Sequence, residues 1–140
     1  MLITAIKQTS PGRLTVTLED EREIKTTLGV VTDLRLFSGR ELDEGALEEL
    51  ERESRRALTR EKALEYLSRR AMSRKELEKK LTDKGYDEED AAYCAAWLAE
   101  RGLIDDAGYA AAVARHYSAK GYGPGRIRSE LSRRGIDRDM

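Results

Sequence analysis

Residues 73–87 read SRKELEKKLTDKGYD, and 50 positions later residues 123–137 read GPGRIRSELSRRGID. In the first stretch Ser73 and Glu76 have the spacing of a capping box, with Met72 and Leu77 placed to staple the helix start. Leu77 and Leu81 share one helical face, and Gly85 stands where a helix closes in the left-handed region. The second stretch assigns other residues to the same roles. Gly123 takes the N-cap position, and Pro124 takes the first helical position, where its missing N–H costs nothing. Ile127, Leu131 and Gly135 then replace Leu77, Leu81 and Gly85.

The flanking segments repeat as well. EKALEYLSRRA precedes the first copy, and DAGYAAAVARHYSAKG, with Tyr109, Val113 and Tyr117 at helical spacing, precedes the second. After Gly85, Asp87 is positioned to cap a further helix, DEEDAAYCAAWLAERG, whose first turn is acidic, as the helix dipole favours. The unit is therefore three helices in about 50 residues, too small to bury much apolar surface alone but suited to stacking. By the same offset the third helix of the second unit begins at Asp137, and the sequence ends at Met140. The reading expects a truncated chain or an unusually short one, lacking at least one helix and leaving the preceding pair frayed or exposed.

Upstream, LITAIKQ (2–8) and LTVTL (14–18) flank the turn Ser10-Pro11-Gly12, with a third strand at REIKTT (22–27). LGVVTDLRLFSG predicts a short helix closed by Gly39. Leu42 and Leu47 bracket an Asp43 N-cap, and apolar residues then recur at helical spacing to Ala71. Periodicity alone leaves open one long helix or two with a break near 54–60. The fold expected is mainly α: tandem three-helix repeats preceded by a small N-terminal β-hairpin or sheet and helix, with the second repeat incomplete. The expected division is 1–55, 56–105 and 106–140.

Composition sets the functional classes. The 140 residues carry 26 basic and 27 acidic groups, a net charge of −1, so total charge names no partner. The charges are segregated, with net −4 over 1–55, +5 over 56–85, −6 over 86–112 and +4 over 113–140. Such a chain presents basic and acidic surfaces at once. Charged residues are 38% of the chain, and Phe37 and Trp97 are single, which favours thin helical layers. The lone Cys94, among small apolar neighbours, reads as a buried thiol. No apolar run reaches membrane-spanning length, and the N-terminus lacks a signal-peptide pattern, so a cytoplasmic monomer without cofactor is the default.

No catalytic constellation emerges, and the chain is read as a non-enzyme. Asp105 and Asp106 lack further metal ligands at suitable spacing and read as helix caps. His116 is the sole histidine, GYGPG at 121–125 lacks the Lys-Ser/Thr of a phosphate loop, and no Ser or Cys has a neighbouring base. What remains is charge on helices. Arg69, Arg70, Arg74, Lys75, Lys79 and Lys80, with Lys84, gather around the first repeated helix. Arg115, Lys120, Arg126, Arg128, Arg133 and Arg134 gather around the second. Two such clusters at repeat spacing suit a nucleic-acid backbone or an acidic protein groove. The plain alternative is a solvated helix face with ordinary pairs such as Glu76 with Lys80, and with Lys84 and Arg134 favoured by helix C-termini.

Several stretches carry a resemblance: A-L-x-x-L-S-R-R-x-x-S-R-x-E-L at 63–77, K-G-Y at 84–86, L-x-x-x-G-L-I-D-D-x-x-Y-A at 98–110, and K-G-Y-G-P-G-R-I at 120–127. Together they resemble the RecX regulatory family over residues 56–137, while residues 1–55 are similar only in outline. The resemblance implies tandem three-helix repeats, typically three. It implies binding to the RecA recombinase and to its filaments on single-stranded DNA, with inhibition of recombinase, ATPase and co-protease activities by blocking filament extension or promoting disassembly. That places the chain in the regulation of DNA repair and the SOS response, a reading that needs only weak DNA binding. The family motif supplies no contact residues, so the two basic clusters are nominated on physical grounds. The other reading is a helical-repeat module that binds nucleic acid directly through basic helix faces.

Overall fold

A computed structural model describes residues 1–136. The chain forms β1 (Ile3–Ser10), β2 (Arg13–Leu18), β3 (Glu23–Thr27), α1 (Leu28–Asp33), α2 (Glu44–Arg69), α3 (Arg74–Asp83), α4 (Glu88–Glu100), α5 (Asp106–Ala119) and α6 (Pro124–Arg133). It divides into two compact units, Met1–Glu61 and a second from Lys62 onward, the division falling inside α2. The helix expected from Asp137 lies outside the described residues.

In the first unit the strands form an antiparallel meander in the order β1-β2-β3. The acidic turn between β2 and β3 is closed by Asp20, which accepts from the Arg22 backbone and guanidinium at 3.1 and 2.7 Å. Segment 39–42 returns along β1, with Ile3 N–H donating to Arg40 O, Gly39 N–H to Ile3 O and Leu42 N–H to Met1 O. This covers an edge that would otherwise be open to pairing. Ile3, Val16, Leu18, Val30, Leu36, Leu42, Leu50 and Ala57 form the core of this unit.

Two expectations resolve here. The helix predicted to run to Gly39 ends at Asp33, because Arg35 takes φ 54° and closes a Schellman pair: Leu36 N–H donates to Val31 O and Arg35 N–H to Thr32 O. Arg40 stabilises that unusual arginine conformation by donating from its guanidinium to Leu34 O and Arg35 O. The ambiguity at 54–60 resolves as one 26-residue helix, about 39 Å long at 1.5 Å per residue. Ser54 and Thr59, weak helix formers, are buried and bonded: Ser54 donates to Thr26 Oγ1 on β3 at 2.8 Å, and Thr59 to Arg55 O at 2.7 Å.

The second unit has its core in Ala63, Tyr66, Met72, Leu77, Leu81, Ala91, Cys94, Ala95, Leu98 and Ile104. The expected capping box is present: Ser73 Oγ accepts from Glu76 N–H, and Glu76 accepts from Ser73 N–H, both at 3.1 Å. Asp87 caps α4 by accepting from Glu89 and Asp90 N–H, and Asp105 caps α5 by accepting from Gly108 N–H at 3.0 Å. The two repeated helices end alike. Gly85 has φ 96° and Gly135 φ 79°, each followed by a 6→1 bond, Tyr86 N–H to Leu81 O and Ile136 N–H to Leu131 O. The copies differ in burial: α3 buries Leu77 and Leu81, whereas no residue of α6 is fully buried.

Candidate functional site: basic faces of the helical repeats

The second unit is stitched together where α6 ends against the start of α3. Ser73 Oγ donates to Arg134 O, Asp106 on α5 accepts from Arg74 N–H at 2.8 Å, and a side chain on Gly135 would collide with Lys75 Cβ. Asp106 is thus a tie between helices, and Asp105 alone is the cap. Arg134 lies at the centre of this seam. It donates to Glu130 at 3.0 Å, to Tyr109 Oη at 2.9 Å and to Tyr117 Oη at 3.2 Å. Burial opposes its charge, but the bonds to Glu130 and Tyr109 more than offset this and hold its pKa above the ordinary value. Of the twelve nominated cations, Arg134 is the one most fully engaged inside the fold.

Glu130 is the acidic counterpart. Hydrogen bonds from Arg133 and Arg134 hold its carboxyl below the usual range. A depressed folded-state pKa contributes stability that is complete above the unfolded value and lost as pH falls through the folded one. Stability of the second unit should therefore decline as pH falls below about 5, and Glu130→Gln should flatten that decline. Urea midpoints measured across the acid range check this; identical pH profiles for the two proteins would refute it.

The remaining nominated residues fall into four places. Arg70 joins Arg133 and Arg134 around Glu76 in an open groove of about 550 Å³, so cations from the two sequence clusters meet there. Arg70 lies 3.5 Å from Glu76, and Arg133 lies 2.6 Å from Glu130. Lys75 and Lys79 line a second depression with Glu78, Glu88 and Glu89, where the acids outnumber the lysines by one. Arg74 pairs with Glu78 at 3.3 Å and Lys79 with Asp83 at 2.7 Å. On α5 and α6, Arg115 and Arg128 are exposed. Arg126 stacks on Tyr122 at 3.9 Å, Tyr122 stacks on Tyr117 at 4.9 Å, and Lys120 lies 5.7 Å from the Tyr117 ring.

Arg69 and Lys80 sit elsewhere, in a depression they share with Lys62, Tyr66, Lys84 and Tyr86. Sequence reasoning missed Lys62, Tyr66 and Tyr86 as part of a basic site. The signal was present: Lys62, Tyr66 and Arg69 follow i, i+4, i+7 spacing, and Lys80 and Lys84 follow i, i+4. Among the described residues, no group of three or more His, Cys, Asp or Glu side chains is placed to hold a metal, and no helix is long and apolar enough to cross a membrane. Cys94 is buried as a free thiol.

A three-stranded sheet followed by helical repeats with basic faces defines a helical-repeat protein. The models of the first and second RecX three-helix domains match residues 60–98 and 105–140, which together make up more than half of the chain. The chain belongs to the RecX family. "Regulatory protein RecX" of Pseudomonas entomophila is 43% identical over 79 residues, covering 56% of this chain and 51% of that protein. The protein of the same description from Xanthomonas campestris pv. campestris is 43% identical over 79 residues, covering 56% of this chain and 49% of its own length. The aligned region thus spans about half the length of these curated relatives. A crystal structure of regulatory protein RecX superposes with a TM-score of 0.80 at 29% identity, covering 99% of this chain and 69% of that one. RecX from Lactobacillus salivarius superposes with a TM-score of 0.56 at 32% identity, covering 59% of this chain and 55% of its own.

Proposed function

We propose that this chain regulates the RecA recombinase by binding RecA and its filaments on single-stranded DNA. It restrains ATPase, recombinase and co-protease activities by blocking filament growth or promoting disassembly. The observation that carries this reading is the tandem match to both RecX three-helix domains. The repeated basic clusters support it, because a filament repeats and a repeated binder gains by engaging several subunits. On this reading the chain works as a cytoplasmic, non-enzymatic monomer in DNA repair and the SOS response.

The surface we assign comprises Arg69, Arg70, Arg74, Lys75, Lys79, Lys80, Arg115, Lys120, Arg126, Arg128 and Arg133. Arg134 acts mainly by holding the seam that positions them. The test is DNA-dependent ATP turnover by RecA on single-stranded DNA, with this chain titrated below the RecA concentration. Turnover is expected to fall at few chains per filament; unchanged turnover at equimolar chain overturns the reading. Reversing charge at Arg69, Arg70, Lys75 and Lys79 together is expected to weaken inhibition while leaving the circular dichroism spectrum native. Full inhibition by that variant removes these residues from the surface.

A second reading, direct binding of nucleic acid, is favoured by one observation: the depression around Lys80 and Lys84 is lined by cations and tyrosines alone. It requires binding without RecA and a steep decline with salt.

A further inference from the structure

The depression lined by Lys62, Tyr66, Arg69, Lys80, Lys84 and Tyr86 has a volume of about 350 Å³, at the small end of ligand sites. It brings cations from α2 and from the end of α3 to one place with no carboxylate in its lining. The dipole at the C-terminus of α3 favours cations in its own last turn, but it does not account for Lys62 and Arg69 on another helix. Glu65 is the acid beside it, and it is already shared by Lys62 at 3.3 Å and Arg69 at 2.9 Å. Lys80 and Lys84 have no carboxylate partner among the described residues. The Lys80 ammonium sits 4.5 Å from the centroid of the Tyr66 ring, with Lys62 at 5.2 Å. Tyr66 is 4% exposed, and its hydroxyl is buried with no hydrogen-bond partner among the described residues. Clustered cations repel one another, and an anion among them relieves that cost.

The chemistry of the lining selects the anion. Three of the four cations are lysines, compact point charges that suit phosphate oxygens from many directions. The planar fork of arginine serves carboxylate and phosphate alike, and the one arginine present is already paired with Glu65, which leaves the lysine point charges to meet the ligand. Tyr86, half-buried and packed on one side against the core of this unit, lines the depression with the remainder of its ring, a surface against which a base can stack.

We propose that this depression is a phosphate subsite for a single nucleic-acid strand, with Lys80 and Lys84 as the main phosphate contacts and Tyr86 as the stacking ring. The inference rests on the second reading above and gives it a place on the molecule. Bases are not read there, so binding is indifferent to sequence and sensitive to salt.

The test is fluorescence anisotropy with a labelled oligothymidylate of ~15 nucleotides, long enough to cover a single-strand site. No recombinase is present, and salt is varied between about 50 and 200 mM. The Lys80→Gln/Lys84→Gln double variant is expected to lower the slope of log affinity against log salt by about 1.4, at roughly 0.7 per lost contact. Lys7→Gln/Lys25→Gln, on exposed positions of the first unit, leaves the slope unchanged. Tyr86→Leu retains every charge and is expected to weaken binding about tenfold without altering the slope. Lys84→Gln alone, expected to lower the slope by about half as much, serves if the double variant loses its native circular dichroism spectrum.

Failure of the wild-type chain to bind the oligonucleotide overturns both the subsite and the second reading. Wild-type binding with an unchanged slope in the lysine variants overturns the subsite and leaves that reading standing. A polyglutamate peptide bound more tightly than the oligonucleotide, and lost in the same variants, shows a carboxylate site and also overturns the proposal.

Discussion

Leu81→Ala is expected to destabilise the second unit by about 3 kcal/mol, within the usual range for deleting a buried leucine. Leu81 is fully buried on α3, in one cluster with Leu77, Cys94 and Leu98. A unit of this size has little stability in reserve. The chain supplies its own probe: Trp97, the only tryptophan, packs against this cluster from α4. Its emission reports unfolding of this unit, so urea denaturation followed at Trp97 measures the loss. Leu64→Ala is the control, because Leu64 is 42% exposed on α2 and exposed substitutions usually cost less than about 0.5 kcal/mol. A Leu81→Ala midpoint equal to that of Leu64→Ala would show that this leucine does not hold the repeat together.

Arg134→Met is expected to cost about 2 kcal/mol, chiefly from hydrogen bonds that involve a charged group. The substitution retains much of the side-chain volume and removes the donors to Glu130, Tyr109 and Tyr117. It leaves the mostly covered Glu130 carboxylate with Arg133 and the more distant Tyr117 hydroxyl. Because Tyr109 and Tyr117 belong to α5, the loss loosens α5 from α6 more than it unfolds α3 and α4. Hydrogen exchange separates the two outcomes. Faster exchange confined to residues 106–136 supports the seam; uniform acceleration across α3 and α4 counts against it. A wild-type midpoint would mean that the Arg134 bonds are replaced by water without loss.

The same positions show where sequence reading succeeded and where it stopped. The capping box at Ser73 and Glu76, the Asp87 cap and the Gly85 and Gly135 terminators are local devices. Each satisfies backbone groups within a few residues, so residue type and spacing suffice to recognise them. The end of α1 was missed because Arg35 took the place that glycine usually fills, and its support comes from Arg40, five residues on. The continuity of α2 was illegible for a related reason. Ser54 weakens a helix in isolation, but here its hydroxyl finds Thr26 across 28 residues of chain.

The basic surface divides in the same way. Its two clusters and their repeat spacing followed from the order of residues alone. Their regrouping did not: Arg70 meets Arg133 and Arg134 around Glu76, Lys80 turns to Tyr66 while Arg69 pairs with Glu65 beside it, and Arg134 turns inward. The sequence by itself determined the kinds of element, their caps and the repeat, because these depend on backbone bonds closed within one or two turns. Only the tertiary structure decided which cations face a partner and which are consumed within the fold. That choice depends on side chains brought together across tens of residues, where a hydroxyl or a carboxylate within about 3 Å changes the role of a charge.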